Sequence, residues 1–204
     1  MKQRECSQLF YIQEITDDIF QRIDGISYQP NAFVGRDALR YLRVAHVGFD
    51  GCTHMGELIV HQQIAEDVLA ILRTLYEQRY PIERMVLVDE YGGDDNRSME
   101  ANNSSAFNFR LIAGTNRLSK HSLGMAVDIN PRYNPYIRPG ENGEWIVEPE
   151  GSEAYADRQA DFPYKIDRKD LCYRLFTEHG FTWGGDWNTV KDYQHFQKEI
   201  RCNS

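Results

Sequence analysis

Only one long helix-forming stripe is present in this chain, and the apolar runs around it are too short to be helices. From His61 to Arg79 the residues Ile64, Val68, Ile71, Leu72 and Leu75 recur at the spacing of one helix face, and Pro81 stops the pattern. A shorter stripe of Leu171, Leu175 and Phe176 predicts a second helix from about Arg168 to His179, closed by Gly180. The remaining apolar runs read as strands. Tyr41 to Val47 ends in an Asp50-Gly51 turn, and Met85 to Val88 lies between a proline and the Gly92-Gly93 pair. Phe107 to Leu111 alternates aromatic and polar residues, Ala126 to Ile129 stops before Pro131, and a last strand falls around His195 to Gln197. Helix and strand do not alternate regularly. The expected class is therefore α+β, a small, mostly antiparallel sheet packed with a few helices. No repeat is visible, and 204 residues suit a single domain over 1–204.

Charge and composition exclude several classes of partner. With 23 Lys+Arg against 31 Asp+Glu the net charge is −8, and no stretch gathers Lys or Arg into a phosphate-neutralising stripe, so nucleic acid is not an expected partner. Hydrophobic residues are 41%, which is enough for a folded core, and no window approaches the roughly 20 apolar residues of a transmembrane segment. The start, Met1 to Cys6, lacks the apolar run of a secretory signal. The expected location is the cytoplasm, or the cell envelope or exterior if an export segment has been removed. The acidic charge is uneven. Between about Arg138 and Lys165 there are seven acidic and three basic residues, half of the net charge, with three prolines and repeated glycines. That segment is expected to be a polar insertion forming a mobile rim near the site rather than core. Cys6, Cys52, Cys172 and Cys202 show no Cys-x-x-Cys spacing. Cys172 sits among apolar residues, and a Cys6–Cys202 pair is one of several open pairings.

The chemistry concentrates in two places. Ser119-Lys120-His121-Ser122-Leu123-Gly124-Met125-Ala126-Val127-Asp128 sets a histidine and an aspartate around a glycine, with the aspartate inside an apolar strand. A carboxylate there needs a partner. Asp192-Tyr193-Gln194-His195 adds a second carboxylate and a second histidine, just after Trp183-Gly184-Gly185-Asp186-Trp187. Two neutral imidazoles and one carboxylate make a three-ligand set for Zn²⁺, leaving a fourth position for water and one carboxylate as a general base. Were 192–195 one continuous strand, Asp192 and His195 would face opposite ways. This places Asp192 in the turn before the strand, and makes Asp128, beside His121, the better ligand. His54 and His61 are the second-choice ligands, and His46 and His179 read as structural or exposed.

The pattern Ser119-x-His121-x-x-Gly124-x-Ala126-x-Asp128, followed by Asp192-x-x-His195-Phe196, resembles the zinc D-alanyl-D-alanine carboxypeptidase-like peptidases. These include vancomycin-resistance dipeptidases and phage L-alanyl-D-glutamate endopeptidases, and they share a fold with the hedgehog signalling domain. Ser98-Met99, the stretch Asn102 to Arg110 and the Trp183–Trp187 segment are similar to a bacterial branch of that family. The resemblance covers about Gly56 to Gln197. It implies a hedgehog-like fold, with His121, Asp128 and His195 as zinc ligands, Asp192 as base, and Arg110 and Ser119 on the substrate side. It also implies hydrolysis of a peptide bond in peptidoglycan stem peptides. The dipeptidase branch carries glutamate where this chain has Asp192, so the similarity is greater to the carboxypeptidase or endopeptidase branches.

Alternatives remain at this level. A catalytically silent, zinc-containing binding module would carry the same ligands. Asp186 and Asp192 would instead serve as the carboxylate pair of a glycosidase. Trp183, Asp186 and Trp187 either line the cleft and pack against substrate or form an aromatic core corner. Arg110 offers planar donors for a substrate carboxylate or an oxyanion, or else pairs with a surface acid.

Overall fold

The computed structural model describes residues 9–112 and 115–199. Cys6 and Cys202, and with them any pairing of the two, lie outside the described residues. Cys52 and Cys172 are free thiols, one exposed and one buried.

The N-terminal half is a three-stranded antiparallel sheet of β1 (Tyr11–Glu14), β2 (Leu39–Val47) and β3 (Thr53–His61), in that order. β2 and β3 form a hairpin in register from Leu39↔His61 to Val47↔Thr53, and its turn uses Gly51 at φ +74°. The period-two rule sorts the hairpin's apolar residues onto two faces. Leu42, Val44, Leu58 and Val60 face the larger core, where they meet Ile64, Val68, Ile71, Leu72 and Leu75 of the long helix. Leu39, Tyr41 and Ile59 face a smaller core with Ile19 and Ile23 of α1 (Asp17–Ile23), Leu87 and Phe107. The sheet is thus covered on both sides.

The long helix, α2, spans Ala65–Glu77 and not the whole of 61–79, because His61 is the last residue of β3. After the short α3 (Asp95–Glu100) the chain passes through the His121 segment into β4 (Ala126–Asp128). A hairpin of β5 (Tyr136–Pro139) and β6 (Trp145–Glu148) follows, then α4 (Leu171–Glu178). The Asp170 carboxylate caps α4 by accepting from Cys172 N at 2.8 Å. β7 (Thr182–Trp183), β8 (Lys191–Asp192) and β9 (His195–Gln197) complete two further antiparallel sheets, β4–β9–β7 and β6–β5–β8. Phe176 of α4 stacks on Phe196 of β9 with centroids 4.3 Å apart, tying helix to sheet. The class is α+β with small antiparallel sheets, as read from the pattern. No helix among the described residues is long and apolar enough to cross a membrane.

Two expected strands are not in ladders. Met85 to Leu87 joins no ladder and Val88 opens a 3₁₀ turn, Val88–Tyr91; side chain replaces strand: the Asn103 amide accepts from Val86 N at 2.8 Å and donates to Val86 O at 3.0 Å, and Glu57 N reaches Met85 O. A side-chain amide offers both a donor and an acceptor, so one face of it can replace a strand neighbour, and its second N–H goes to Ser98 Oγ at 3.0 Å. Phe107 to Leu111 likewise joins no ladder, its amides going singly to Ile59 O, His121 O and Ser27 O.

The acidic excursion carries a polar anchor of its own. Arg158 pins it, donating to Tyr133 O, Tyr155 O, Asn134 Oδ1 and Ile166 O at 2.7 to 3.2 Å, with its guanidinium over the Tyr193 ring at 4.3 Å. Five acceptors or faces for one planar cation fasten a polar segment without an apolar core of its own.

Candidate metal centre

His121 lies in a 3₁₀ turn, Lys120–Leu123, whose ends explain the motif around it. Ser119 caps the turn by accepting from His121 N at 3.2 Å, and Gly124 closes it at φ +66°. Gly124 O also accepts from His61 N at 2.8 Å, and a β-carbon on Gly124 would stand 2.6 Å from that same nitrogen. Glycine is needed both for the left-handed backbone and for docking the turn on β3. The other two residues arrive by strand pairing, since Asp128 of β4 and His195 of β9 are direct register partners.

The three side chains converge. His121 Nε2 stands 3.1 Å from Asp128 Oδ2, His195 Nδ1 stands 3.0 Å from Asp128 Oδ1, and the two nitrogens are 3.1 Å apart. All three residues are buried, and among the described residues this is the group of His, Cys, Asp or Glu that would hold a metal ion. The outward nitrogens fix the tautomers. His121 Nδ1 donates to Ala106 O, and His195 Nε2 donates to Gln197 Oε1 at 2.9 Å. Each neutral ring then presents a lone pair inward, so two lone pairs and a carboxylate face one another in a buried space. Such a set is stabilised by a cation. Tetrahedral zinc with ligands at about 2.0–2.2 Å sets ligand atoms about 3.3–3.6 Å from each other, a few tenths of an ångström wider than the separations found. Without a metal, a proton takes that place: burial disfavours a charged His195, yet the Asp128 hydrogen bond and charge outweigh it and push the ring up to about 9. Burial likewise opposes ionised Asp128, and the two histidines overcome it and hold the carboxyl well below its usual range.

Asp192 is near but separate. It occupies the two-residue strand β8, paired with β5, and a bend at Tyr193–Gln194 divides it from β9, so it belongs to a strand of a different sheet and not to a turn. Asp192 Oδ2 is 4.0 Å from His195 Nδ1, and Oδ1 is buried with no hydrogen-bond partner among the described residues. Burial pushes this carboxyl up to about 7, with His195 pulling against it and Asp128 adding to it. Arg110 is held to the His121 turn, since its backbone N donates to Ser122 Oγ at 2.8 Å and its O accepts from Ser119 N at 3.1 Å. Its Nη2 pairs with Asp95 Oδ2 at 2.7 Å, while its Nε is buried and unpartnered among the described residues.

A family model described as D-alanyl-D-alanine carboxypeptidase matches residues 113–198. The chain is similar to that family. No curated protein and no solved structure matches it. The matched segment contains His121, Asp128, Asp192 and His195, whereas Arg110 precedes it.

Within this carboxypeptidase-like segment the Trp183–Trp187 stretch divides its roles. Trp183 is core: it is 5% exposed, donates from Nε1 to Tyr193 O at 2.9 Å, and meets Tyr173 edge-on. The expectation that it packs against substrate is corrected accordingly. Asp186 is exposed, and Arg168 donates to its Oδ1 from both Nε and Nη2, so its carboxylate is turned to a surface partner. Trp187 is half-buried with its ring 5.3 Å from that of His195, beside the centre. The two glycines answer to packing. A β-carbon on Gly184 would lie 2.6 Å from Asp192 O and 2.8 Å from Asp192 Cβ, and one on Gly185 would strike the Trp183 ring at 2.4 Å. They let β8 close onto the turn before it.

Ser119 is committed to its cap, and His54 and His61 lie elsewhere, bonded to Asp50 and to Gln63 N. Gln197 and the carbonyl of Ala106 were not anticipated. Gln197 stands two residues beyond His195 on one strand, so period two sets both side chains on the same face, a signal the sequence carries. The Ala106 carbonyl carries no side-chain signal at all.

Proposed function

We propose that this protein is a zinc peptidase that hydrolyses a peptide bond in bacterial peptidoglycan stem peptides, as a D-Ala-D-Ala carboxypeptidase or an L-Ala-D-Glu type endopeptidase. The observation that carries this reading is the convergence of two inward lone pairs and one carboxylate within 3.1 Å, beside a second carboxyl that binds no ligand atom. His121, Asp128 and His195 would hold the ion. Bound there, zinc supplies a Lewis acid for the scissile carbonyl and makes water nucleophilic at neutral pH.

The other steps belong to the chain. Asp192 takes the proton of the attacking water on its free oxygen and returns it to the leaving amine. Arg110 keeps an uncommitted donor for the substrate's carboxylate or for developing negative charge. Trp187 offers an aromatic wall beside His195. The substrate of this reading is the cell-wall polymer, so the reaction itself would take place in the cell envelope. Asp192 speaks against a silent binding module, because a buried, raised carboxyl costs stability and a purely structural zinc site has no use for it. The Arg168 pair removes Asp186 from a glycosidase dyad.

Digestion of purified peptidoglycan with and without a chelator, with fragments read by mass, tests the proposal. Release of stem-peptide fragments that stops with the chelator and returns with zinc is expected. Sugar fragments, or no chelator effect on cleavage, would overturn it.

A further inference from the structure

Tyr136 occupies the centre of a side-chain row across the β6–β5–β8 sheet. In register it faces Asp192 on one side and Glu148 on the other. Cross-strand partners project from the same face with β-carbons about 4.5–5.5 Å apart, so the phenol stands on the Asp192 face. Its ring is half-buried, and none of the described residues hydrogen-bonds its hydroxyl. That distinguishes it from Tyr41, Tyr76 and Tyr80, whose hydroxyls meet Glu57, Thr53 and Asp170. Of the neighbouring arginines, Arg138 Nη2 is engaged with Glu148 at 2.9 Å and Arg110 Nη2 with Asp95 at 2.7 Å, while the Nε of each is buried and unpartnered among the described residues. Burial raises the phenol's pKa, with Asp192 and Glu148 adding to it and Arg138 and Arg110 opposing, so it stays a neutral O–H.

An uncommitted neutral donor directly across from the candidate base is placed to meet the group that the base's water attacks. We propose that Tyr136 is a catalytic residue of this site, donating its phenolic O–H to the scissile carbonyl oxygen as that oxygen gains negative charge. This rests on the peptidase reading. No proton leaves the phenol, and the hydrogen bond strengthens as the carbonyl becomes tetrahedral.

Tyr136→Phe keeps the ring and removes only the donor. With zinc content and melting temperature unchanged, kcat and kcat/KM on a soluble stem peptide should fall together by about 10²-fold while KM stays nearly constant. A phosphinic stem-peptide analogue, whose tetrahedral oxygens imitate the attacked carbonyl, should bind Tyr136→Phe about 10²-fold more weakly by calorimetry. Ile137→Val, on the opposite face of the same strand, should leave both readouts alone. Wild-type kcat/KM in Tyr136→Phe, a loss confined to KM, or unchanged analogue binding would overturn the assignment. If wild type cleaves, Asp192→Asn does not and Tyr136→Phe does, only this inference fails. If zinc-loaded wild type leaves stem peptides intact, the peptidase reading fails and takes this one with it.

Discussion

The two small sheets beside the candidate centre are built differently. β4–β9–β7 is core: Val127, Trp183 and Phe196 are at most 5% exposed, and the ring nitrogens of His195 are both committed. β6–β5–β8 is half-exposed along its length and carries an Asp192 oxygen and a Tyr136 hydroxyl that no described residue hydrogen-bonds. The contrast follows from chemistry. Holding a cation requires lone pairs that do not move, with tautomers set by outer hydrogen bonds. Moving a proton requires a group whose polar valence is still open and whose pKa lies near the working pH.

The largest effects should come from the rigid sheet. His121→Ala with His195→Ala should abolish zinc binding, and with it all cleavage, because a lone carboxylate is no zinc site. Elemental analysis of metal-replete protein checks this, and zinc retained in the double variant would remove the site as drawn.

A change in the open sheet should separate metal from turnover. Asp192→Asn keeps the shape and loses the proton acceptor, so zinc should remain while kcat falls by about 10²- to 10⁴-fold. Near-normal turnover with metal intact would move the base elsewhere and erase the contrast between the sheets.

Gly184→Ala tests how the two sheets are joined. Its β-carbon would collide with the backbone of Asp192, which has no flexible end to give way. A loss of about 1–3 kcal/mol is expected, the usual cost of overpacking, with turnover lowered more than zinc content. Denaturant melts and metal analysis on one preparation decide it. Wild-type stability would mean that β8 yields more readily than its packing implies.

The smallest effect is a pH dependence of the metal-free protein. Asp192 is raised from 3.8 to about 7 and His195 from 6.5 to about 9, so each binds its proton more tightly when folded. Stability from such groups is full below the unfolded values and is lost as pH rises through the folded ones. The melting temperature of the metal-free protein should therefore decline from about pH 4 to pH 9. Asp192→Asn should remove the part below about 7, and zinc should flatten the part that His195 contributes. A melting temperature that rises over this range would contradict the burial of Asp192 and the Asp128 hydrogen bond of His195.

Much of the candidate metal centre was legible before any fold was known. Ser119, His121, Gly124 and Asp128 lie within ten residues, and capping, turn closure and ligation depend on neighbours that close. The same locality made the α2 stripe and β9 readable. What stayed illegible has a common origin in contacts made at a distance. Met85 to Val88 lost its strand to the side chain of Asn103, and the acidic excursion was fastened by one arginine reaching across to four separate acceptors.

By itself, then, the sequence determined which groups this protein brings to the candidate metal centre and the turn that presents the first of them, because residue type and short-range backbone geometry decide both. Only the tertiary structure decided that Asp128 meets His195 across a strand pair, that Asp192 enters from another sheet with Tyr136 opposite, and that Trp183 is buried while Trp187 stands at the site. Register between strands tens of residues apart is set by which faces can be buried together, and that competition is settled over the whole core rather than in any one segment.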